Sequence, residues 1–208
     1  MHLKTLMPLA FTIAASTAMA DTPATTGFYV SGAITHSSTS LDRGHFDSTL
    51  SGAGATGLSS SDSGSGNQWR MQLGYRYSPN LSAEVGYIDF GKAKYSAAYA
   101  GGTAQGTLKA GGVDAVGLVS LPLDNGFTIF GKAGLVAARV KSSLSSGVVD
   151  SSTSHTVVRP LIGVGASYAL NKDVDLRMDF DHVSKLGSSS KTGTMGSNMI
   201  SIGANYHF

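Results

Sequence analysis

From Trp69 to Tyr77 every second residue is large and apolar: Trp69, Met71, Leu73, Tyr75 and Tyr77. Gln68, Arg70, Gln72, Gly74 and Arg76 lie between them. Successive side chains of a β-strand point to opposite faces, so a period of two makes a strand with one oily and one polar face. The pattern recurs along the chain. Val174, Leu176, Met178 and Phe180 alternate with Asp175, Arg177, Asp179 and Asp181, which places four ionisable groups on a single face. The last strand sets Ile200, Ile202, Ala204, Tyr206 and Phe208 against Met199, Ser201, Gly203, Asn205 and His207. Residues 27–36 and 158–168 obey the same rule, and 81–91, 113–121 and 127–139 obey it more loosely. The count is eight strands.

The links between these strands alternate in length. Ser78 to Asn80, Pro122 to Gly126 and Leu170 to Asp173 are short and rich in Pro, Asn, Asp and Gly, the residues of tight turns. The others, about 37–66, 92–111, 140–155 and 185–197, are long. Short turns at one end and long loops at the other mark outer-membrane barrels. Within a bilayer every backbone N–H and C=O needs a partner, and a sheet provides that only by closing. The expected fold is all-β: an eight-stranded antiparallel up-and-down transmembrane β-barrel, with four long external loops. Eight strands enclose an interior just wide enough for side chains to fill, which excludes a wide diffusion pore.

Composition agrees. The 208 residues suit one domain, and Gly is common (27) while Pro is scarce (5). There is no Cys, so neither a disulfide scaffold nor thiolate chemistry is available. Charged residues make up 13% and the formal charge is +2, without the concentrated basic face that a nucleic-acid partner requires. The mean hydropathy of +0.06 conceals the alternation by averaging it. At the N-terminus a short polar start (His2, Lys4) leads into the apolar run Leu6 to Ala15, which closes with Ala18-Met19-Ala20. That is the form of a secretory signal peptide, expected over residues 1–20 and leaving 21–208 as the exported barrel. The run is too short to span a membrane as a helix.

Gly27-Phe28-Tyr29-Val30, Leu73-Gly74-Tyr75, Val85-Gly86-Tyr87 and the end Ile200 to Phe208 carry a family resemblance. The chain resembles the membrane domain of the OmpA-like outer-membrane proteins over nearly all of residues 26–208. The resemblance implies a bacterial outer-membrane location, reached through the periplasm. It further implies outer-membrane lipid and lipopolysaccharide as surroundings, and a C-terminal signal at Tyr206 and Phe208 read by the barrel-assembly machinery. Larger members continue into a peptidoglycan-binding domain. No such domain is expected within residues 21–208, so cell-wall anchoring is not carried over as an expectation.

By parity the lumen receives Arg70, Arg76, Lys132, Arg159 and Arg177 together with Glu84, Asp114, Asp175, Asp179 and Asp181. Buried charges are tolerable when paired, so an internal ionic network is expected. A turn centred on Pro79 sets Glu84 diagonally beside Arg76, and one centred on Asp124 sets Asp114 near Lys132. The lipid face receives Trp69, Tyr75, Tyr77, Tyr87, Phe127, Tyr168, Phe180, Tyr206 and Phe208 as anchoring aromatics.

Candidate chemistry is sparse. Gly52-Ala53-Gly54-Ala55-Thr56-Gly57 matches the dinucleotide fingerprint, but it sits in a 30-residue stretch (37–66) with 10 Ser and 6 Gly and lacks the βαβ context. His182 and Ser184 resemble the His and Ser of outer-membrane lipid A deacylases. No acid follows residue 181 to orient the imidazole, and Asp181 points to the other face. His36, His45 and His155 are scattered without metal-ligand spacing. No enzyme, cofactor or metal is expected. The reading is a structural and surface-interaction protein, with adhesion or host contact through the loops, to an unknown host or surface ligand, implied by the resemblance. A narrow low-conductance ion channel and a lipid A-modifying enzyme are the alternatives.

Overall fold

The computed structural model describes residues 26–41, 44–63, 65–146, 150–188 and 193–208. The leader expected over residues 1–20 lies outside the described residues. Nine strands and a short helix follow in order: β1 (Gly27–Leu41), α1 (Gly44–Gly52), β2 (Ser59–Ser63), β3 (Ser65–Ser78) and β4 (Leu81–Tyr99). Then come β5 (Gly102–Pro122), β6 (Phe127–Ser146), β7 (Asp150–Ala169), β8 (Val174–Ser188) and β9 (Gly193–His207). All pairings are antiparallel. The ring runs β4-β3-β1-β9-β8-β7-β6-β5 and returns to β4. First and last strands close it, with Tyr29 opposite His207 and Ile34 opposite Ile202. The ninth strand, β2, is outside the ring and pairs with the far end of β4.

The three short turns lie together at one end. Asn171 builds the Leu170–Asp173 turn by accepting the backbone N–H groups of Asp173 and Val174 on its side-chain oxygen, both at 2.9 Å. Between β5 and β6, Asn125 takes the left-handed conformation (φ 62°) and Gly126 follows it at 78°. The β5–β6 register therefore pairs Leu118 with Lys132 and Asp114 with Val136. The turn is thus centred on Asn125, one position later than Asp124. That moves Asp114 four residues from Lys132 in register, and the expected diagonal pairing does not form.

At the other end the strands are far longer than a bilayer needs. A tilted membrane strand takes about 9–11 residues, whereas β5 has 21 and β6 and β7 have 20 each. Much of the segments expected as loops is paired strand. Residues 92–111 form a hairpin continued to Tyr99 opposite Gly102, and β6 and β7 pair out to Ser145 opposite Asp150. The 37–66 segment is not a plain loop either, since it holds the end of β1, α1, β2 and the start of β3.

The two halves of the barrel obey opposite polarity rules. On β6, Phe127, Ile129, Leu135 and Ala137 face out, and Lys132 faces in. Beyond Ala137 the sense inverts: Arg139, Lys141, Ser143 and Ser145 face out, while Val136, Ala138, Val140 and Leu144 fill the interior. Phe127 to Ala137 is about 33 Å of strand, or about 25 Å tall at a tilt near 40°, the height of an outer-membrane apolar band. The upper edge of that band is marked by two cross-strand pairs, His36 with Asn67 (3.2 Å) and His182 with Asn198 (2.7 Å).

Candidate functional site

Inside the band the lumen holds a continuous ionic chain. Glu84 on β4 accepts a hydrogen bond from the Tyr29 hydroxyl at 2.8 Å and from the Arg177 guanidinium. Arg177 grips Asp179 with two further N–H groups, both at 2.9 Å. Lys132 bridges Asp179 (2.5 Å) and Asp181 (2.9 Å), and Arg70 reaches the second oxygen of Asp181 at 2.6 Å. Three cations and three anions are so joined, and none of the six residues is more than 5% exposed. Such a network is tolerable in a low dielectric only because the charges balance.

Neighbouring residues are shaped to admit it. A Cβ on Gly74 would stand 2.1 Å from Tyr29 Cζ, so the ring that delivers the hydroxyl to Glu84 lies flat over a residue without a side chain. A Cβ on Gly163 would meet the Asp181 carboxylate at 2.0 Å and the Lys132 stem at 2.9 Å. Arg177 also stacks on Phe130, its guanidinium carbon 4.7 Å from the ring centre.

The other sequence-derived lumen residues fall around this chain. Asp114 accepts from Gln72 at 2.9 Å. Asp175 binds Asn205 (2.7 Å) and His207 (2.8 Å) at the turn end. Arg76 is half-buried over the Tyr29 ring at 5.9 Å, and Arg159 is half-buried on β7. The Pro79-centred register does set Glu84 opposite Gly74, yet its ion-pair partner is Arg177 from across the lumen rather than Arg76. Tyr206 and Phe208 face outward, their rings edge to face at 5.2 Å.

Above the ionic chain, past a polar layer in which Thr35 and Ser201 share a hydrogen bond at 2.8 Å beside Gln68, the lumen is mainly apolar. Ile88, Phe90, Leu108, Val136, Val140, Leu161, Val183, Leu186 and Met199 are buried in one cluster. Helix α1 lies across its mouth. Phe46 stacks on Tyr95 at 4.8 Å and presses against Gly106, and Leu50 is fully buried. Asp47 accepts hydrogen bonds from the Tyr95 hydroxyl and, at 3.1 Å, from Ser60 of β2. The backbone of Ala100 at the hairpin tip bonds to Thr56 just after the helix. The Gly52–Gly57 stretch is therefore the exit from α1, with the helix before it instead of after it. His182, on the outer wall, is engaged with Asn198. Among the described residues no group of His, Asp and Glu could hold a metal. The large grooves on the outer wall, one of about 860 Å³ lined by Val119, Ile129, Val164 and Phe180, are gaps between band side chains and belong to the hydrocarbon.

Known proteins agree with this geometry. Residues 28–208 match the family model of the OmpA-like transmembrane domain. The chain belongs to that family. Outer membrane protein A of Serratia marcescens is 32% identical over 139 residues, covering 65% of this chain and 38% of that protein. The OmpA-like chain thus spans well under half the length of the relatives it matches. Among solved structures, Neisserial surface protein A superposes with a TM-score of 0.53 at 20% identity, covering 88% of this chain and 97% of the other. Ail of Yersinia pestis gives 0.53 at 14% identity, over 88% and 99%. At such identities the structures speak for the fold alone. The OmpA-like barrel is an integral protein of the bacterial outer membrane.

Proposed function

We propose that this barrel is a non-conducting scaffold that holds an ordered hairpin head outside the cell for contact with an external surface. One observation carries the reading: the lumen is filled twice over, by paired buried charges within the band and by an apolar cluster under α1 beyond it. An ion path would have to cross both layers. A lipid A-modifying centre at His182 would need an orienting acid, where the neighbour in contact is Asn198. The short-turn end is assigned to the periplasm and the hairpin end to the outside by the usual asymmetry of such barrels. Tyr206 and Phe208, at the end of the last strand, serve in this reading as the assembly signal.

Planar-bilayer recording of the refolded chain tests the sealed lumen. No discrete conductance step is expected, and a reproducible open level would end the reading. The contact role is tested by whole-cell adherence to host-type cells with and without a shortened β6–β7 hairpin. Loss of adherence, with the barrel still inserted, is expected. Unchanged adherence would remove host contact through that hairpin.

A further inference from the structure

The geometry points to a binding site for lipid-headgroup phosphate on the outer wall, built by Lys92, Lys109 and Lys141 with Arg139. Register pairs Lys92 directly opposite Lys109, and Lys109 directly opposite Lys141, so three ammonium groups form one row across three adjacent strands. Arg139 lies one outward position nearer the band on β6, and all four side chains are exposed. Like charges directly opposite one another on a sheet destabilise it. Among the described residues none of the three lysines takes part in an ion pair. The row calls for an anion.

The fold places the row deliberately. Through Phe90 the even residues of β4 point inward, and unbroken alternation would drive Lys92 and Lys94 into the apolar interior. A bulge between Asp89 and Gly91 prevents this. Gly91 adopts φ +75°, and its N–H donates to the Asp89 carboxylate at 2.9 Å. After the bulge Ala93 and Tyr95 point inward, and Lys92 comes out opposite Lys109. Bulges that re-aim side chains in this way are features of sites and edges.

Position identifies the occupant. The row begins where the apolar band ends: Tyr87, Val113 and Ala137 are the last band residues of β4, β5 and β6. Lys109 is four residues past Val113, about 10 Å above the hydrocarbon edge after tilt, just outside a headgroup layer about 5–8 Å thick and within reach of its phosphates for a lysine stem. The Tyr87 hydroxyl leans over Gly111, where a Cβ would stand 2.4 Å from it, and floors a groove of about 420 Å³ below the lysines. Asp89, which accepts the Gly91 N–H, also lines it, so four cations share the groove with one carboxylate. The groove opens sideways, on the same wall as the lipid-facing side chains, and the lysine stems can bend toward the headgroup plane. A phosphorylated glycolipid of the outer leaflet meets all these conditions. This assignment rests on the proposal that the hairpin end is external.

The test is native mass spectrometry of the full refolded chain in detergent, titrated with bis-phosphorylated lipid A and with its dephosphorylated form. A lysine beside an anionic headgroup is worth about fivefold in affinity, so the three together should retain the phosphorylated lipid about a hundredfold more tightly. The K92Q/K109Q/K141Q variant should lose that preference, whereas Lys172→Gln at the turn end should keep it. Equal retention of the two lipids, or an unchanged preference in the triple variant, would overturn the site. So would binding of a heparin oligosaccharide by the row without binding of phosphorylated lipid, which would make the partner a soluble sulfated sugar. Impermeant-maleimide labelling of Ala100→Cys on intact cells reads the orientation separately. An unlabelled tip would overturn the external reading, and the titration would still report on the row.

Discussion

Arg177 shows how one residue holds the lumen together. Its guanidinium satisfies two carboxylates and stacks on Phe130, so Arg177→Met would leave Glu84 and Asp179 short of a counter-charge in a dry interior. A loss of about 3–5 kcal/mol is expected in urea unfolding from lipid vesicles. Adding Glu84→Gln should restore part of it; a loss below about 1 kcal/mol would mean that the network is solvated. Gly74 makes a sharper case. Gly74→Ala should cost about 1–3 kcal/mol with Tyr29 present and close to nothing in a Tyr29→Ala background, because the clash is with the ring itself. Equal costs in both backgrounds would contradict the packing. Parity was enough to select the lumen side chains of β3, β8 and β9, since alternation alone decides the face. It could not name ion-pair partners. Glu84 stands beside Arg76 in strand register and yet binds Arg177 from across the ring, a distance that only the closed cylinder sets. Asp114 missed Lys132 because a left-handed Asn125 moved the turn centre by one residue.

At the scale of elements, the band strands were readable and the head was not. Tyr95, Ala97 and Tyr99 alternate with Lys94, Ser96 and Ala98 as regularly as any band strand, but with the opposite sense. A reading that looks for oily residues outside takes such a stretch for loop. Helix α1 has no strong apolar periodicity and only two buried residues, Phe46 and Leu50, so its existence depends on the barrel mouth it covers. Phe46→Ala should therefore release α1 selectively. Amide exchange of residues 44–52 should rise steeply while that of β6 stays protected, and equal loss of protection in both would show the helix to be part of the barrel's own cooperative unit. Tyr95→Phe, which removes only the hydroxyl bound to Asp47, should loosen the same helix by about 1 kcal/mol.

For the whole molecule, one chain builds two kinds of interior in series. Where hydrocarbon surrounds it, the oily residues go outward and the ions inward; where water surrounds it, the same strands bury apolar residues and expose Lys, Arg and Ser. The switch occurs within continuous strands, on β6 by a change of residue type and on β4 by a bulge. Both interiors are packed, and a packed interior is what separates a scaffold from a pore. The chain contains no Cys, so single cysteines can be placed freely for spin labels. Labels set one by one along residues 157–168, with Gly163 and Gly165 left unchanged because neither admits a side chain, should show a period of two in collision with oxygen, high at Val158, Ile162, Val164 and Ala166. Collision with a water-soluble nickel chelate should be low throughout, at the inward Val157 and Leu161 as well as on the outer wall. High nickel accessibility at those inward positions, or no alternation in oxygen, would contradict a sealed barrel in the membrane.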